Sequence, residues 1–141
     1  MPLMSGIYTA LSGMNAASLR AEVAARNIVN ANSAGAASPE GGALASETLA
    51  GIQAYQPQQV VQSSTPGGGT TAKSIPVKPS TYPVYDPSNP AADQHGMLQY
   101  PNVSPEVEMV QMTVAVNSYK ANAKVLKTLD ETMGALLDSK S

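Results

Sequence analysis

The sequence predicts a mainly α fold: long N- and C-terminal helices pair as a coiled-coil-like bundle, and an extended Pro/Gly-rich middle carries short β-strands. Three observations lead there: where the prolines fall, a repeating 4-3 spacing of apolar residues at both ends, and a shortage of large core side chains. Proline clashes with the preceding helical turn and has no amide hydrogen to donate, so helix interiors exclude it. None of the eleven prolines lies between Leu3 and Ser38, and none follows Pro105. The chain therefore divides into an N-terminal helix within 1–35, an irregular middle over 36–104 and a C-terminal helix over 105–141.

In the first segment Ile7, Leu11, Met14, Ser18, Ala21, Ala25 and Ile28 follow the alternating spacing of an a/d seam, with Ser18 its only polar member. Ala16, Ala17, Leu19 and Val23 widen the apolar surface beyond one stripe, which calls for more than one neighbour. Gly6 and Gly13 each cost about 1 kcal/mol relative to Ala in a helix interior, so this helix is marginal alone. Asn30, Asn32, Ser33 and Gly35 are expected to end it.

The last segment opens with Ser104 as cap, Pro105 at the first helical position, and Glu106 and Glu108 against the positive end of the dipole. Met109, Met112, Val116, Tyr119, Ala123, Leu126, Asp130, Met133 and Leu137 again alternate by three and four, with Asp130 the misfit. Lys120, Lys124 and Lys127 make a solvated basic face. A helix of this length is a rod about 50 Å long at 1.5 Å per residue.

There is no Phe or Trp, and alanine makes up much of the 43% hydrophobic fraction, so little large apolar area is on hand for a self-sufficient core. The two helices must pair with each other and with helices of other chains. The seam residues Ile7, Leu11, Met14, Ala21, Ala25, Ile28, Met109, Met112, Val116, Tyr119, Leu126 and Met133 form the expected assembly interface. A net charge of -2 without a basic face gives nucleic acid no footprint. The absence of cysteine excludes disulfides and thiolate chemistry. Ser5, Thr9, Ser12 and Asn15 interrupt the N-terminal apolar run, which argues against a cleaved signal peptide, and no run approaches a membrane span of about 20 residues.

In the middle, "TPGGGTTAK" reads as a flexible loop, and Ile75/Val77, Tyr82/Val84 and Leu98/Tyr100 as brief strands. Motifs for chemistry fail here. "GGGTTAKS" resembles a phosphate loop, but Pro76 and Pro79 forbid the helix it requires. His95 lies near Asp86 and Asp93 in a Pro-rich turn, where surface polarity outweighs a metal or acid/base site. Glu106 and Glu108, two apart on a helix, do not face each other. No catalytic, cofactor or metal residue is assigned, and the chain is not read as an enzyme.

Three stretches resemble the flagellar axial proteins, and among them the basal-body rod proteins of the proximal rod. "VYDPSNPAADQHGMLQYPNV" is similar to a hallmark of that family, with Tyr85-Asp86-Pro87, Pro90, Ala92-Asp93, Gly96 and Pro101-Asn102-Val103 in place. "EMVQMTVAVNSYKANAKVLKT" resembles the shared C-terminal helix, with Glu108-Met109, Met112, Tyr119, Ala121-Asn122 and Thr128. "AARNIVNANSAG" resembles the end of the N-terminal helix, where Asn27, Asn30 and Asn32 fall in an Asn-rich motif. Asn89 stands where the family usually has His, Asn117 where Arg is common, and residues 39–75 match no known pattern.

The resemblance implies a structural rod subunit that assembles helically to transmit torque across the periplasm. By the same resemblance, Tyr85, Asp86, Pro87, Pro90, Pro101 and Asn102 brace neighbouring subunits. The implied partners are the protein itself, other rod proteins, the rod-to-ring junction protein and the flagellar type III export apparatus, which would pass the chain without signal cleavage. No cofactor, nucleic acid or membrane insertion is implied. The alternative is a type III-exported adaptor using the same amphipathic helices on a partner groove.

Overall fold

The computed structural model describes residues 2–36, 53–93 and 95–139, so residues 37–52 of the expected middle segment and the last two of the expected C-terminal helix lie outside the described residues. In chain order the elements are α1 (Pro2–Val29), β1 (Gly35–Ala36), β2 (Gln58–Ser64), β3 (Thr70–Pro76), β4 (Thr81–Tyr85), β5 (Met97–Pro101) and α2 (Pro105–Asp138). The terminal helices fall where the prolines allow them. α1 ends as its asparagines require: Asn30 donates its side-chain amide to the Arg26 carbonyl, and the backbone amides of Ala31 and Ser33 close turns onto Ile28 and Asn30. At the start of α2, Ser104 Oγ donates to Glu106 Oε2, and the Glu108 amide bonds the Ser104 carbonyl.

The middle overturns the expected fold class. It is not an extended connector flanked by a coiled-coil-like bundle but two small antiparallel sheets, one ordered β1-β5-β4 and one made of β2 and β3. The fold is two long helices with two sheets between them in sequence. Residues 86–96, read as a stiff extended run, turn back on themselves so that β4 and β5 pair antiparallel, Tyr85 opposite Met97 and Thr81 opposite Pro101. The prolines permit this because they stand in the loop, where no ladder bond is needed, or at strand positions whose amide is dispensable. β2 escaped the sequence reading, and β3 was anticipated only at its Ile75 end, because "QQVVQSS" and "TTAKSIP" alternate weakly and stay largely exposed. Backbone pairing and the turn make this hairpin, with little help from side-chain burial.

The chain forms two compact units: Met1–Ala24, Val60–Ile75 and Met109–Ser141 compose the first, and Ala25–Gln59 with Pro76–Glu108 the second. Within the first unit α1 and α2 run antiparallel. A Cβ placed on Gly6 would touch the Leu129 side chain at 3.3 Å, and one on Gly13 would meet the Asn122 amide group at 2.8 Å. Each contact is one heptad from the other along both helices. The inward face of α1 is therefore Gly6, Ala10, Gly13, Ala17 and Ala24, with Ala10, Ala17 and Ala24 buried. Every one of these positions precedes a residue of the expected seam by one. Small residues let the helices meet here, and Ile7 and Leu11 are turned about 100° away from that line. The turn expected to be a flexible loop is also packed: Gly69 has φ +90° and a Cβ there would lie 2.6 Å from Ser12 Oγ, which accepts the Thr70 amide at 3.1 Å. Only glycine fits that approach.

The second unit is built on β5. Leu98 is fully buried, as are Pro57, Pro101 and Asn27, and the Tyr82 and Tyr100 rings stack at 6.3 Å across the β4–β5 pair. The strands expected around Tyr82/Val84 and Leu98/Tyr100 are present.

Two glycines of similar sequence context should respond in opposite ways to substitution. Gly13→Leu should lower stability by about 1–3 kcal/mol, because the Asn122 side chain, itself bonded to the Ser118 carbonyl, occupies the space. Gly134→Ala, with no atom within 4 Å, should add about 0.5–1 kcal/mol. Thermal unfolding followed by circular dichroism on the full chain checks both signs.

Candidate assembly interface

The buried apolar residues among those described are Ala10, Ala16, Ala17, Val23, Ala24, Leu98 and Ala115. With alanine inside, the larger side chains are left outside. Within the first unit, α1 exposes Met4, Tyr8 and Leu11, which share one face. α2 exposes two separate surfaces. Val110, Val114, Ala121, Val125 and Leu136 form one; Val110 to Ala121, Val114 to Val125 and Val125 to Leu136 are each eleven residues apart, three helical turns, so they line up. Met109, Val116, Tyr119 and Met133 belong to the other.

That second surface borders two open grooves. One, of about 480 Å³, is lined by Ile7 from α1 and by Ala123, Leu126, Lys127, Asp130 and Met133 from α2. The other, of about 380 Å³, is lined by Ala17, Ser18 and Ala21 facing Ala115, Val116, Tyr119 and Lys120. The expected seam thus flanks the helix pair. Ile7, Ser18, Ala21, Val116, Tyr119, Leu126 and Met133 are brought together along the grooves, and Leu11 and Met109 are exposed beyond them. Met14 and Met112 are half-buried in the first unit, and Ala25 and Ile28 half-buried in the second. The Val110 to Leu136 stripe was missed by the sequence reading. Its signal was the eleven-residue recurrence of mostly β-branched residues, hidden behind the heptad beside it. Lys120, Lys124 and Lys127 are exposed, and Lys127 makes a loose ion pair with Glu131 at 3.7 Å.

The polar centre of the second unit is Asn27, whose side chain is wholly buried and fully bonded. Its Nδ2 donates to the Gln58 carbonyl at 2.7 Å and to Glu108 Oε1 at 2.8 Å. Its Oδ1 accepts the Tyr55 hydroxyl at 3.0 Å and the Gln58 amide at 3.2 Å. All four bonding positions of a primary amide are used. Burial pushes the Tyr55 phenol pKa up, Arg26 pulls it down and Glu108 adds to the rise, so the hydroxyl keeps the proton it donates. Asn27 entered the sequence reading only as part of a family motif; a lone Asn near a helix end reads as a helix stop.

The six residues expected to brace neighbours fall at two places. Tyr85, Asp86, Pro87 and Pro90 belong to the β4 end and the exposed loop after it, whereas Pro101 is buried in β5 and Asn102 follows it. The loop is held by its own side chains. Asp86 Oδ1 accepts the Ser88 amide and hydroxyl, Asn89 Oδ1 the Ala91 amide, and Asp93 Oδ1 the amides of His95 and Met97. Asn102 donates its backbone amide to the Ser80 carbonyl and its side-chain amide to that of Pro79. Met97 and His95 N–H groups draw the Asp93 carboxyl below its ordinary 3.8 against a smaller opposing effect of burial. Among the described residues no three His, Cys, Asp or Glu side chains converge as metal ligands, and no helix is long and apolar enough to cross a membrane.

Residues 94–139 match the family model described as flagellar basal body rod FlgEFG protein C-terminal. The chain is 37% identical over 139 residues to the flagellar basal-body rod protein FlgC of Escherichia coli O6:H1, covering 94% of each chain. It is 34% identical over 139 residues, again covering 94% of each, to that of Salmonella typhimurium, and 48% identical over a 48-residue stretch, 34% of this chain and 36% of the relative, to that of Aquifex aeolicus. Two long helices with exposed apolar faces and these matches define a structural subunit of the bacterial flagellar basal-body rod. The chain belongs to the FlgC family of rod proteins.

Tyr55→Phe should cost about 0.5–1.5 kcal/mol, because the Gln58 amide still satisfies Asn27 Oδ1, whereas Asn27→Leu strands several buried groups and should cost more. Urea unfolding of the full chain ranks them. Because the folded pKa of Asp93 is depressed, its contribution is complete above pH 3.8 and is lost as pH falls through the lower folded value. The His95 and Met97 amide shifts should move with a midpoint below 3.8 in an NMR titration, and Asp93→Ala should abolish that titration.

Proposed function

We propose that the subunit builds the rod by seating helices of neighbouring rod subunits on the exposed faces of α1 and α2, so that torque passes along packed helices across the periplasm. The supporting observation is the row of large apolar side chains left in solvent, Val110, Val114, Val125 and Leu136 on one side of α2 and the groove-lining Val116, Tyr119 and Met133 on another, with Leu126 half-buried beside them. Contiguous exposed apolar surface is unusual on a protein that stays monomeric. Its partners are copies of itself and other rod proteins, together with the rod-to-ring junction protein. The side-chain-capped loop after β4 acts as the brace, since three local side-chain acceptors and two prolines hold its shape at low entropic cost. Export runs through the flagellar type III apparatus without signal cleavage. A pair of helices that meet through glycine and alanine is weak enough alone to thread that channel.

Val110→Asp and Val114→Asp together should remove the protein from purified basal bodies and abolish swimming, while the secreted amount stays near wild type. Lys124→Glu should leave both unchanged. A finite complex with a non-rod partner, in cells whose basal bodies lack the protein, would favour the adaptor reading instead.

A further inference from the structure

The helix pair of the first unit poses a problem of alignment. Its inward positions repeat with a seven-residue period, Gly6 and Gly13 on one line and Ala10, Ala17 and Ala24 on the next, opposite Ala115, Asn122 and Leu129 on α2. Side chains this small interlock poorly, so they do not distinguish one heptad alignment from the next. One slip is sterically open and electrostatically attractive. If α1 and α2 moved seven residues relative to each other, Gly6 would face Asn122 and Gly13 would face Ala115. Arg20 would then stand opposite Glu108, opposite in charge.

We propose that Asn27 is the residue that selects the native alignment, acting as a register lock through its bond to Glu108. Among the described residues it is the buried side chain that bonds α2 from α1, and it does so with no bonding position left over. In the slipped alignment Asn27 would lie beyond the start of α2, and Glu108 would be given to Arg20. The bond to Glu108 would be broken and a wholly buried amide left without its partner on α2, which supplies the discrimination that glycine and alanine lack. The residue therefore positions the helices that carry the assembly faces. Its effect is on alignment, separate from the identity of any partner.

The chain lacks cysteine, so engineered pairs report alignment without background. Gly6→Cys with Leu129→Cys should cross-link in the native register, because the two positions touch and the leucine is replaced by a smaller group. Gly6→Cys with Asn122→Cys should cross-link only after a one-heptad slip. In the full-length protein with Asn27 intact, only the first pair should form a disulfide efficiently. With Asn27→Ala, the ratio of slipped to native product should rise about tenfold or more. Asn27→Asp should do the same by placing a second carboxylate against Glu108, and adding Glu108→Gln should restore the native ratio in part, since its amide can donate to the aspartate. Unchanged cross-linking in both Asn27 variants would overturn the proposal. So would loss of both products, which signals unfolding without slip, or a failure of Glu108→Gln to rescue Asn27→Asp.

Discussion

A buried primary amide with four partners is the constraint on which the second unit depends. Asn27 sits at the last turn of α1, and its amide group joins that turn to the Tyr55 hydroxyl, to both backbone groups of Gln58 and to Glu108 in the first turn of α2. Burying an amide without partners is costly, and the four bonds together offset that cost. The segment entering β2 is thereby held to the last turn of α1, which the same amide ties to α2, in a unit whose largest wholly buried apolar side chain among the described residues is Leu98.

Directional bonding matters because the apolar core is thin. Alanine and glycine on the inner line of α1 allow close helix contact but bury little area per residue, so the hydrophobic term that usually dominates folding is small here. The same choice leaves valine, methionine, leucine and tyrosine on the outside. A chain arranged this way keeps little apolar burial for itself and leaves large apolar side chains on its surface, which suits a subunit of a rod.

The irregular stretches show how local chemistry replaces core burial. Asp86, Asn89 and Asp93 each accept backbone amides two residues ahead, and Asp93 also takes the amide of Met97. Three successive glycines at positive φ let the β2–β3 turn approach α1 until Ser12 bonds the Thr70 amide. Each loop is specified by the residues at its corner, so it keeps a defined shape while staying exposed.

Helix positions, the early end of α1 at its asparagines, the cap of α2 and the β4 and β5 strands were legible in the sequence because each rests on local rules of proline exclusion, capping and alternation. The family was legible too, through motifs around Asp86 and Tyr119. Which small residues of α1 meet α2 was not: Gly6, Ala10, Gly13, Ala17 and Ala24 each stand one position before a seam residue. Hydrophobic periodicity ranks Ile7, Leu11 and Met14 above Gly6, Ala10 and Gly13, but in a chain that assembles, large side chains can belong to the intermolecular surface as readily as to the inner one. Only the folded structure separates those two demands, since both are written in the same apolar residues. The β2–β3 pair and the bonding of Asn27 were hidden for a related reason: backbone pairing between polar segments, and an amide satisfied by groups distant in sequence, leave no periodic trace in the chain that makes them.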